Sequence, residues 1–127
     1  MLNEIYKSIL ETDRAPIFVC DVNDIILYMN RSAIARMSKR GGEALIGKSV
    51  LDCHNEHSRS IIHQVVAWFR ESPENNMVFT YHNDKENKDV YMVALRNECG
   101  ELIGYYEKQE FRTPETAHPY DFSHSLI

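Results

Sequence analysis

Residues 45–69, LIGKSVLDCHNEHSRSIIHQVVAWF, constrain this chain most. A glycine-broken turn leads through polar, metal-capable side chains into the most strongly apolar helix in the sequence. Ile61, Ile62, Val65, Val66, Trp68 and Phe69 project onto one broad arc at about 100° per residue, wide enough to press against a sheet. Projected backward, His57 falls at the edge of that arc, whereas His63 falls opposite its centre and should face water or a partner. An apolar wall with Cys53, His54 and His57 at its rim is the pattern of a small-molecule pocket.

A chain of 127 residues with 43% hydrophobic and 26% charged residues supports one domain with one core. The formal net charge of -5, with no basic run interleaved with aromatics, argues against nucleic acid as a partner. No apolar segment approaches membrane-spanning length, and the N-terminal MLNEIYKSIL carries acid where a signal peptide carries base. The expectation is a cytoplasmic protein without a membrane partner. Cys20, Cys53 and Cys99 form an odd set with no CxxC, which suits reduced thiols.

Leu2, Ile5, Tyr6, Ile9 and Leu10 recur at helical spacing and predict an amphipathic helix over 2–12, stopped before Pro16. Its stripe can cover its own domain or pair with the same helix of a second copy. PIFVCD (16–21) and IILYM (25–29) predict a hairpin around Val22-Asn23-Asp24, and Asn30 stands where the N-cap of a following helix belongs. Gly41-Gly42 ends that helix, and Glu43–Ile46 can add at most one turn before Gly47. MVFTYH (77–82), DVYMVALR (89–96) and ELIGYYEKQEF (101–111) predict three further strands. The second pair is joined at Asn97-Glu98-Cys99-Gly100, with glycine available for a positive backbone angle. Strands at both ends and helices bunched between them imply an antiparallel α+β domain with helices on one face.

Three motifs then resemble one family. IFVCDVNDIILYMNRSA resembles the opening hairpin of a PAS domain and its following asparagine. LIGKSVLDCH resembles the glycine turn into the short helices, and LRNECGELIGYYE the closing hairpin. The resemblance spans roughly residues 3 to 112. The Cys-His after the glycine turn also resembles a less-studied PAS subgroup of bacterial and archaeal regulators. The family implies a PAS-like five-stranded antiparallel sheet with helices on one face, enclosing a cavity for haem, flavin, a carboxylate, a lipid or nothing. It implies a role in sensing or protein association in bacterial signal transduction rather than catalysis. It also implies dimers through the N-terminal helix and outer sheet face. The last strand ends EKQEFRT rather than in the family's Asp-Ile-Thr coupling motif. The expectation is a stand-alone domain without an output unit of its own, acting on a separate effector protein in trans.

The candidate pocket residues are Cys53, His54, His57, Ile61, Val65, Phe69, Tyr81 and Met92, within a PAS-like domain over 1–112. The spacing argues against a flavin photoadduct: the third residue after Gly47 is Val50, and Cys53 comes too late. Haem in this family is usually held by a histidine of the long helix. His63 has the position but the wrong angle, so haem or a small organic ligand stays open. Cys53-His54-x-x-His57, with His82 as a fourth ligand, is the alternative metal set. The plainer reading makes Cys53 a small apolar filler and the histidines helix-start hydrogen-bonders. Strand alternation puts Tyr105 and Tyr106 on opposite faces, so at most one sees a cavity, and Phe18 and Met37 read as plain core. No catalytic residues stand out. Residues 113–127 read as a docking or disordered tail, within which 122–126 is faintly similar to a histidine-kinase phosphoacceptor box.

Overall fold

The computed structural model describes residues 1–123. Helix α1 (Leu2–Thr12) precedes strands β1 (Phe18–Asp21) and β2 (Ile26–Met29) and helix α2 (Arg31–Arg36). Single 3-10 turns follow at Ser38–Arg40, Gly42–Leu45 and Val50–Cys53, then helix α3 (Glu56–Glu71) and strands β3 (Met77–Asn83), β4 (Lys88–Arg96) and β5 (Leu102–Phe111). The five strands make one antiparallel sheet in the order β2-β1-β5-β4-β3, so the first hairpin pairs with the last strand. This is the α+β architecture expected, N-terminal helix included.

Local chemistry sets the boundaries. At the first hairpin, Asp21 Oδ1 accepts from the backbone N–H of Asn23 at 2.8 Å and of Ile25 at 3.0 Å, while Asp24 takes φ 66°. Asn97 closes the last hairpin in the same way, accepting from Cys99 and Glu101 at 3.0 Å each, and Gly100 supplies φ 81°. Asn30 caps α2 by accepting from Ala33 N at 2.9 Å, and Asn55 caps α3 by accepting from Ser58 N at 2.9 Å. Asn30 is fully buried and also ties α1 and β1 to the core.

The core lies between the sheet's inner face and the helical segment. Cys20, Ile26, Met29, Met92 and Tyr105 meet Ala33, Leu45, Ile62, Val65, Val66 and Phe69. Trp68, placed on the arc by periodicity, is 37% exposed at its margin. The guanidinium of Arg96 on β4 locks the end of α3, donating to the carbonyls of Phe69 at 2.6 Å and of Ser72 and Asn75 at 3.1 Å. Strands β1 and β5 touch so closely at Gly104 that a β-carbon there would stand 2.3 Å from the Cys20 carbonyl oxygen. By contrast α1 buries none of its residues, and Leu2, Ile5, Tyr6 and Ile9 lie exposed along it. Among the described residues no helix or strand follows β5. The fragment 122–126 lies partly outside them.

Candidate ligand cavity

The pleat decides which strand residues face the helices. Across β1, β5 and β4, Cys20 pairs with Tyr105 and Tyr105 with Ala94. The next inward row joins Glu107 to Met92 and Met92 to Val78. Tyr106 belongs to the opposite row with Val19 and Val93, as alternation requires.

Between this inner face and the 3-10 turns lies a cavity of about 200 Å³. Phe18, Cys20, Ile26, Met92, Tyr105 and Glu107 form its sheet wall, and Met37, Arg40, Leu45, Val50, Cys53, His54 and Ile62 the facing wall. A second recess, between α3 and β3, is lined by His57, Ser58, Ile61, Thr80 and Tyr81. His54, Ile62, Met92 and Glu107 line both spaces and so form the neck between them.

Of the sequence candidates, Cys53, His54 and Met92 line the cavity, while His57, Ile61 and Tyr81 line the recess. Val65 and Phe69 line neither. They point straight at the sheet as core, 7% and 0% exposed. Phe18 and Met37, read as plain core, are cavity wall. Sequence reasoning passed over Arg40, Leu45 and Val50, which sit in 3-10 turns with no period to betray an inward face. It also passed over Glu107, whose parity with Tyr105 on β5 was a usable signal.

Burial shifts four polar lining groups, Cys20, Tyr105, His54 and Glu107, toward their uncharged forms. Burial pushes the Cys20 thiol up to about 12, with Asp24 and Asp21 adding to it against a hydrogen-bonding contact with Tyr105. Tyr105 donates to Asp24 Oδ1 at 2.7 Å, and burial together with that bond holds the phenol protonated. Burial, then the positive charges of Arg40 and Arg59, lowers the His54 imidazole. Both guanidiniums brace this corner: Arg59 donates to the carbonyls of Leu51 at 2.9 Å and His54 at 3.1 Å, and Arg40 to that of Cys53 at 3.4 Å. Burial raises Glu107 despite the opposing hydrogen bond from Gln109 and charge of Lys88. Glu107 is only partly exposed, and its side chain lines both the cavity and the recess.

Among the described residues, no group of three or more His, Cys, Asp or Glu is placed to hold a metal ion. Cys53, His54, His57 and His82 are not gathered. His82 Nδ1 instead lies 2.6 Å from Asp89 Oδ1. His63, the long-helix position from which this family usually holds haem, is exposed and lines neither the cavity nor the recess.

Fold and cavity define an α+β domain with a small pocket between sheet and helices. Residues 4–105 match the model of the PAS fold, and the chain belongs to the PAS family, whose domains are typically signal-transduction sensors. It is similar to a C-terminal domain from Streptococcus mutans, at 23% identity and TM-score 0.67 over 86% of this chain and 84% of that one. It is also similar to the PAS domain of Bordetella pertussis BvgS, at 17% identity and TM-score 0.62 over 89% and 88%. A third likeness is to the PAS domain of a Colwellia psychrerythraea protein, at 13% identity and TM-score 0.60 over 87% and 97%. At such identities the likeness is one of fold. No curated protein sequence matches the chain. The subgroup resemblance drawn from Cys53-His54 finds no support in these matches.

Proposed function

We propose that this chain is a sensor domain that binds a small organic molecule in the cavity and passes its occupancy to a separate effector protein in signal transduction. The observation that carries this reading is the cavity itself: about 200 Å³, walled mainly by apolar side chains, with a few polar groups converging on it. A tightly filled interior, as in a purely associative domain, would leave no such space. The surfaces left uncovered support association. The stripe of α1 and the outer-face residues Met77 and Phe79, 45% and 57% exposed, would serve a second copy and the effector. A cytoplasmic location and a homodimer belong to the same proposal. Among the described residues no helix is long and apolar enough to cross a membrane. No catalytic step is assigned to any residue.

Native mass spectrometry of freshly purified protein, with an absorption scan, tests the reading. The expected result is a small organic mass released on denaturation, or its uptake from a set of single-ring compounds, without visible colour. A protein that arrives empty and takes up none of them overturns it.

A further inference from the structure

The side chains behind Glu107 fix the direction in which it can offer a proton. Lys88, 3% exposed, donates from Nζ to Gln109 Oε1 at 2.6 Å and pairs with Glu86 at 3.1 Å. With its oxygen so engaged, Gln109 must present its amide nitrogen to Glu107, and Nε2 donates to Glu107 Oε1 at 2.9 Å. Oε1 is therefore an acceptor. When Glu107 is protonated the hydrogen sits on Oε2, which has no hydrogen-bond partner among the described residues, while the side chain lines both the cavity and its neck.

We propose that Glu107 is the specificity-determining residue of the cavity, donating from Oε2 to an acceptor on a compact, uncharged guest of single-ring size. This rests on the sensor reading and names the class of molecule sensed. The guest carries a carbonyl, an ether or a comparable acceptor on an apolar frame. Phe18, Met37 and Met92 give that frame aromatic and thioether contacts. Anions are disfavoured by the Glu107 carboxyl, and the guanidinium of Arg40, at the exposed margin of the cavity wall, is already engaged by the Cys53 carbonyl.

The groups that face Glu107 are Lys88 from β4, Tyr81 from β3, Cys20 from β1, and His54 and Arg40 from the segment across the cavity. Lys88 favours the carboxylate, but Gln109 stands between them, and burial prevails. Donation therefore persists above the ordinary carboxyl range and ends as pH rises through the raised value.

Acetophenone and α-methylstyrene have nearly the same shape and differ in a carbonyl oxygen against a methylene; benzoate adds a charge. Their binding to the whole chain can be compared by calorimetry or by chemical-shift titration. The wild type should prefer acetophenone by about tenfold at mildly acid pH. That preference should shrink as pH rises, and benzoate should be weakest. Glu107→Gln presents an amide N–H in place of the acid, so it should keep the preference and lose its pH dependence. Glu107→Leu should bind both neutral probes equally, its fold checked by the same spectra. Equal binding of the two neutral probes by wild type, or tightest binding of benzoate, overturns the role of Glu107 and leaves the sensor cavity standing. Failure of every probe with folded wild type overturns both.

Discussion

The side-chain amide of Asn30 donates to the carbonyl oxygen of Leu10 at 2.9 Å, across 20 positions of sequence. It also donates to Ala15 O at 3.0 Å, and its oxygen accepts from Ile17 N at 3.0 Å and Ala33 N at 2.9 Å. One buried side chain thus closes α1, orients the entry to β1 and caps α2. Asn30→Asp keeps the shape but sets a carboxylate against carbonyl oxygens. We expect a loss of about 3 kcal/mol. The deficit should widen as pH rises, because only the protonated acid can donate there. Urea denaturation at about pH 5 and about pH 8 measures both terms. Equal stability of variant and wild type at either pH would contradict this account.

Arg96 gathers carbonyls from the end of α3 and from the loop beyond it, and its Nε donates to Asn76 Oδ1 at 2.8 Å. Lysine offers a single ammonium with no planar fork, so Arg96→Lys should lose several of these bonds together. The expected cost is about 2 kcal/mol, with faster amide hydrogen exchange in the last turn of α3 than in β1. Unchanged exchange there would show that the helix end holds without the guanidinium.

Glu86 and Glu107 should shape stability against pH in opposite senses. Hydrogen bonding to Arg36, then to Lys88, lowers Glu86 from 4.5 to about 2. Its contribution is present above the unfolded value and lost as pH falls toward 2. Glu107 is raised, so its contribution is complete below the unfolded value and fades as pH rises through the folded one. Glu86→Gln should therefore flatten the acid limb of a thermal-melting profile, and Glu107→Gln the limb above it. If either substitution altered the other limb instead, these assignments would be reversed.

Thiol reactivity should follow depth. Cys99 is exposed, Cys53 half-buried and Cys20 buried with its thiol pushed up to about 12. A disulfide reagent should label Cys99 first, Cys53 more slowly and Cys20 only on unfolding. Saturation with α-methylstyrene should slow Cys53 and leave Cys99 unchanged, since Cys53 lines the cavity and Cys99 does not. Labelling of Cys20 in the folded protein as fast as that of Cys53 would refute the ordering.

The elements were legible because their ends are written in short-range chemistry: Asn30 and Asn55 as caps, Asp21 and Asn97 as turn formers, Gly100 as a positive-φ residue. The pocket was less so. Periodicity shows which side of α3 faces inward, but not whether a side chain meets another wall or an empty space. Periodicity alone therefore makes Val65 and Phe69 lining residues, whereas both are buried in the core between α3 and the sheet. Tyr105 and Tyr106 were separated correctly because the two-residue alternation of a strand is rigid. The same alternation, carried two residues further, leads to Glu107. The facing wall of Arg40, Leu45 and Val50 depends on how successive 3-10 turns stack, which no local pattern records.

Because only hydrogen fits between Gly104 and the backbone of Cys20, the β1–β5 seam has no slack to give. On the opposite side Ile61 and Thr80 meet across the recess through side chains alone. A guest of the proposed kind would therefore be registered as a displacement of α3 relative to β3, with the seam left shut.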